Sequence, residues 1–179
     1  TNAVREAVGA ALRTLTGFGR VSVVLGDAVA AFATAAAEGA LLGGYRFDDY
    51  RSGEQPKRAE TVILHADLSA EDAAHATVLA EAVALTRDLV TTPAEWLGPA
   101  DLAARAAEAV AGLNVGVEIL DEVALAEGGY GGILGVGQGS DRPPRLVRLD
   151  YSPADAVGHI ALVGKGITFD TGGLSLKPP

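Results

Sequence analysis

The sequence predicts an α/β fold, on three observations. Short apolar runs the length of strands recur at residues 21–25, 61–65, 115–120, 145–151 and 160–163. Most are separated by longer stretches with apolar residues at helical spacing, and that alternation belongs to sheets covered by helices. Hydrophobic residues make up 49% of the chain and aromatics only 5%, so the apolar content leans on alanine and suits close-packed helices.

Residues 4–15 read as a helix, and 21–25, after Gly17 and Gly19, as a buried strand. Asp27 is placed to cap a second helix, in which Phe32, Ala36, Ala40 and Gly43 recur at helical spacing. Gly39, Gly43 and Gly44 would let another backbone come close, at a cost in helix propensity. Residues 46–57, polar and holding Gly53 and Pro56, read as a loop before the strand at 61–65. Ser69 with Asp72 resembles a capping box and opens the longest helix, about 70–90, which Thr92-Pro93 stops because the residue before proline avoids helical geometry. Pro99 suits the first turn of a helix to about residue 111. A strand at 115–120, a glycine-rich stretch at 124–140 and a strand at 145–151 follow. The run 160–163 is wholly apolar, the kind buried on both faces of a parallel sheet. The division expected is residues 1–68 as the end of one α/β domain, 69–92 as an interdomain helix, and 93–179 as the start of a second α/β domain with a mixed or parallel sheet.

The net charge of −9 disfavours binding to a phosphate backbone. No cysteine is present, which removes disulfides, thiolate metal sites and cysteine nucleophiles and fits a reducing cytoplasm. No run is long and apolar enough to span a membrane, and the N-terminus lacks the layout of a signal peptide. The first residue is not Met, so a processed or truncated start is expected.

The last sixteen residues concentrate the chemistry. Of fourteen basic residues eleven are arginine, leaving Lys57, Lys165 and Lys177, and two of these three fall here. Lysine, unlike arginine, can lose its proton beside a cation and then bind metal. Asp170 adds a hard oxygen donor five residues after Lys165, and neighbouring glycines allow a tight fold around an ion. Lys165 would emerge at the carboxyl end of a strand, where α/β sheets bind ligands. Spacing alone leaves open that these are surface lysines and turn glycines. A phosphate-binding P-loop is not supported, because Gly158 lies six residues before Gly164 and Gly166 follows Lys165. The seven glycines from Gly128 to Gly139 could cradle a nucleotide such as ADP-ribose, which would make the chain a binding module without peptidase activity. Leu134, however, occupies the place of the third fingerprint glycine, so tight turns and close packing are the favoured reading. His65, His75 and His159 share no ligand spacing and read as structural; Trp96 and the run Tyr45-Arg46-Phe47 read as core or interface.

The run Val163 to Pro178 resembles the signature region of the leucyl aminopeptidase (cytosol aminopeptidase) family. The run Glu38-Gly39-Ala40-Leu41-Leu42-Gly43-Gly44-Tyr45-Arg46-Phe47 is similar to the end of that family's macro-like N-terminal domain. Arg87-Asp88-Leu89-Val90-Thr91-Thr92-Pro93-Ala94 is similar to its interdomain-helix exit, with threonine where asparagine is more usual. Gly135-Val136-Gly137-Gln138-Gly139-Ser140 and Pro143-Pro144-Arg145-Leu146 match as well. The resemblance implies that Lys165, through a neutral amine, ligates one of two divalent ions (Mn²⁺ or Zn²⁺), that Asp170 bridges both, and that Lys177 is the catalytic lysine polarising the substrate carbonyl. It implies release of N-terminal residues from peptide substrates, Leu-like ones favoured, by two-metal hydrolysis in a cytoplasmic homohexamer. The family's other ligands and its catalytic arginine are expected beyond Pro179, so the isolated chain is expected to be inactive.

Overall fold

A computed structural model describes residues 1–169. The chain divides into two compact units, the first from Thr1 to Thr91 and the second beginning at Thr92.

In the first unit, helix α1 (Asn2–Thr14) packs along helix α2 (Ala33–Gly44). Helix α2 is mostly alanine and glycine, and Ala33, Ala35, Ala36, Ala37, Gly39, Ala40 and Gly43 are all buried. The small residues matter because the two backbones nearly touch. A Cβ on Gly39 would lie 2.3 Å from the Arg5 carbonyl oxygen, and one on Gly43 2.5 Å from that of Gly9. The close approach expected of Gly39 and Gly43 is therefore real, whereas Gly44 faces open space. Buried Glu38 sits on the same interface, with the Arg5 guanidinium 2.5 Å away.

Strands β1 (Arg20–Val24) and β2 (Thr61–His65) pair in parallel, Val21 opposite Val62 and Val23 opposite Leu64. The pair is only partly covered: β1 is half-buried at alternate residues and β2 is largely exposed, unlike the buried strand the apolar run predicts. The core of this unit lies between its helices. The segment after Gly26 also differs from expectation. It begins as a 3₁₀ turn (Asp27–Phe32) with Gly26 in the capping position, and α2 starts only at Ala33. Asp27 stands one residue too late for its carboxylate to cap.

Helix α3 (Ala70–Thr91) starts as the Ser69/Asp72 pair predicts. The Asp72 N–H donates to Ser69 Oγ at 3.0 Å, and the Ser69 hydroxyl donates to the Asp72 carboxylate at 2.6 Å. The helix packs on α2, and Ala76 is fully buried.

In the second unit, helix α4 (Pro99–Ala109) opens with proline at its first position, and the Gly98 N–H donates to Asp101 Oδ2 at 2.9 Å. Strands β3 (Gly116–Leu120) and β4 (Leu146–Asp150) pair antiparallel, Gly116 opposite Asp150. The glycine-rich stretch forms two short helices, α5 (Glu122–Glu127) and α6 (Gly131–Gly137). Asp121 caps α5 by accepting from Val123 N at 3.1 Å and Ala124 N at 2.9 Å, and Leu125 is fully buried. Gly129, at φ 74°, makes the turn between the two helices.

The strand expected at 160–163 is absent. Ile160, Leu162 and Val163 are 86%, 94% and 97% exposed, and no strand is assigned there. An apolar run becomes a strand only where a neighbour takes up its backbone N–H and C=O groups, and among the described residues none does.

Candidate metal centre

Lys165 is the one predicted site residue that the structure describes. Asp170 and Lys177 lie outside the described residues. Lys165 stands on a stretch, residues 164–167, that belongs to no helix or strand, and it is exposed. The stretch touches helix α4 next to the lysine: a Cβ on Gly166 would lie 3.1 Å from the Leu102 side chain. A glycine there lets the backbone after Lys165 lie close to α4.

The donor chemistry fits a divalent ion in kind but not in number. An amine and a carboxylate five residues apart can both ligate a hard or borderline cation once the amine is neutral. Among the described residues, however, no three His, Asp or Glu side chains gather where they could complete a coordination sphere. None of His65, His75 and His159 belongs to such a group among the described residues.

Two of the seven glycines from Gly128 to Gly139 serve packing. A Cβ on Gly137 would lie 2.9 Å from the Pro144 ring and one on Gly128 2.5 Å from the Tyr130 ring, so these glycines make room for packed side chains. Nearby, Arg145 pairs with Glu122 at 2.6 Å. Arg142 donates to the carbonyl oxygens of Ala94 and, at 2.8 Å, Glu95. It thereby fixes the turn that leads from Pro93 into α4. Trp96, read from sequence as core or interface, is 60% exposed.

One concentration of charge escaped the sequence reading. Arg13, Arg46, Arg51, Arg58 and Arg87 line a cavity of about 430 Å³ in the first unit. They are spread over some seventy-five positions with no linear pattern, so only the fold brings them together.

Comparison with known proteins gives a consistent result. The catalytic-domain model of the cytosol aminopeptidase family matches residues 84–179, and the N-terminal-domain model of the same family matches residues 1–54. A probable cytosol aminopeptidase of Clavibacter michiganensis subsp. michiganensis is 52% identical over 186 residues, covering 98% of this chain and 37% of that protein. One from Leifsonia xyli subsp. xyli is 48% identical over 182 residues, covering 99% and 37%. Among solved structures, the bottromycin maturation enzyme BotP in complex with Mn superposes with a TM-score of 0.75 at 34% identity, over 86% of this chain and 34% of that one. A mutant of tomato leucine aminopeptidase superposes at 0.77 with 26% identity, over 96% of this chain and 37% of that one. The chain spans little more than a third of the length of the curated relatives it matches.

Proposed function

The chain belongs to the cytosol aminopeptidase family, and from that footing we propose that it supplies the opening part of the two-metal site of a leucyl aminopeptidase-like enzyme. The enzyme releases N-terminal residues from peptides, Leu-like ones favoured. The observation that carries the reading is the catalytic-domain match over residues 84–179, which includes Lys165, Asp170 and Lys177 in one run.

We assign Lys165 and Asp170 to the metals and Lys177 to the substrate. Divalent ions held there, Mn²⁺ or Zn²⁺, would supply Lewis-acid chemistry toward the scissile carbonyl. Lys165 must give up its proton to serve as a ligand, which a nearby dication makes favourable. Asp170 offers two oxygens and can therefore face two cations at once. Lys177 keeps its proton and places its ammonium by the carbonyl oxygen, where negative charge develops. The BotP structure in complex with Mn supports a divalent requirement. Residues 1–68 belong in this reading to the N-terminal domain, 69–92 to the interdomain helix and 93–179 to the catalytic domain. A cytoplasmic homohexamer is the assembly proposed, and sedimentation of the full-length protein checks it; a monomer would contradict it.

The test of the site uses the full-length protein. Lys177→Ala should lower kcat on leucine-p-nitroanilide by about 10²–10³-fold, the usual cost of removing one group that stabilises an oxyanion, with metal content unchanged. Lys165→Ala should lower bound metal as measured by elemental analysis. Unchanged turnover in the first variant together with unchanged metal in the second would overturn the assignment.

A further inference from the structure

The cavity in the first unit sits at the C-terminal ends of three helices. Arg13 and Thr16 come from the end of α1, Leu42 and Tyr45 from the end of α2, and Arg87 and Thr91 from the end of α3. The segment 46–58 closes it with Arg46, Arg51 and Arg58. Asp48 is the only carboxylate among the lining residues described.

Arginines at helix C-termini have a plain structural use, because they satisfy carbonyl groups and the negative end of the helix dipole. Part of the cluster does this. Arg58 donates to the Gly43 carbonyl at 2.9 Å, and Arg46 donates to the Pro56 carbonyl. Magnitudes decide whether that accounts for all of it. Three helix ends contribute about half a negative charge each. Asp48 contributes one more, and both Arg46 (2.5 Å) and Arg51 (3.8 Å) lean on it. Adding Asp88, which accepts from the Tyr45 hydroxyl at 2.6 Å at the cavity's edge, still leaves the five guanidinium groups in excess. The excess is unexpected in a chain of net charge −9.

The geometry is also suited to a ligand. Arg87 lies with its guanidinium carbon over the Tyr45 ring, 4.0 Å from the ring centre, a contact that leaves N–H groups able to donate to an acceptor. Tyr45 is itself held by Asp88, and its phenol is raised above the ordinary value by removal from water and by that carboxylate, so it stays neutral and serves as a fixed platform. Arg13 and Arg87 make no hydrogen bond or ion pair to protein among the described residues. The volume suits a small molecule.

We propose that this cavity binds a small oxyanion of two or more negative charges, a phosphate group or a compact polycarboxylate, with Arg13 and Arg87 as its principal donors and Arg46, Arg51 and Arg58 completing the positive wall. The site is independent of the peptidase reading, since none of its residues belongs to the run that holds Lys165, Asp170 and Lys177.

Calorimetric titration of the full-length protein with sodium pyrophosphate, and separately with citrate, tests it, with added sodium chloride of matched ionic strength as the control. Saturable binding of either anion is expected; tighter pyrophosphate binding assigns a phosphate ligand, and tighter citrate binding a carboxylate one. Arg13→Gln and Arg87→Gln should each weaken binding about tenfold or more, the usual consequence of losing a charge-assisted donor. Arg148→Gln, in the second unit, should leave it unchanged. Arg87→Lys keeps the charge but loses the fork, so it should fall between the wild type and Arg87→Gln. The proposal is overturned if neither anion saturates, if both glutamine variants bind as the wild type does, or if only a long nucleic-acid polyanion binds.

Discussion

At the scale of single residues, the pairs that matter are those the fold removes from water. Glu38 is 7% exposed and rests against Arg5, whose side chain keeps a third of its surface in solvent. Glu38→Ala should therefore destabilise the first unit by about 1–2 kcal/mol, less than a fully buried pair would cost, read as a lower urea midpoint. Asp150 lies at the end of β4. A hydrogen bond from the Ser152 hydroxyl at 2.8 Å and the Arg148 guanidinium at 3.0 Å hold its carboxyl below the ordinary range. Because its folded value is depressed, the small stability it lends is present above the unfolded value and is lost as pH falls through the folded one. In an NMR titration Asp150 should show a midpoint below that of a free aspartate, and Ser152→Ala should move it upward. The sequence singled out Lys165 as a metal ligand because lysine is rare in a chain that otherwise carries arginine. The arginine cavity was not legible, because its five members come from three helix ends and a loop far apart in sequence.

At the scale of elements, local signals served well wherever the chemistry is local. Ser69 and Asp72 mark the start of α3, Thr92-Pro93 follows its end, and Pro99 marks the start of α4. Asp121 shows the same at α5, and Asp121→Ala should cost about 1 kcal/mol of stability by thermal melting. The contact of α1 with α2 gives a sharper contrast. Gly43→Ala must push a methyl into the Gly9 backbone and should destabilise by about 1–3 kcal/mol. Gly44→Ala, one residue on and facing open space, should be neutral or slightly stabilising. Equal effects of the two would contradict the packing described. The run 160–163 shows where sequence reading stops. Its apolar content is real, but strand formation depends on a neighbour, and hydropathy carries no information about which neighbour is present.

At the scale of the molecule, each unit pairs two strands among the described residues, where the sequence led to an expectation of parts of two α/β domains. Both agree with a chain that covers 37% of its curated relatives while matching both of the family's domain models. The α/β class and the family were legible because they rest on short runs that keep their identity wherever they stand. The sheet and the finished metal site were not, because both need groups brought from distant parts of a chain. The central proposal is that Lys165, Asp170 and Lys177 belong to the two-metal site of a peptidase. Hydrolysis of leucine-p-nitroanilide by the full-length protein in the presence of Mn²⁺, compared between the wild type and Lys177→Ala, tests it most directly. Metal-dependent turnover is predicted for the wild type and a loss of about 10²–10³-fold for the variant; equal turnover by both, or a wild type inactive with both Mn²⁺ and Zn²⁺, would contradict it.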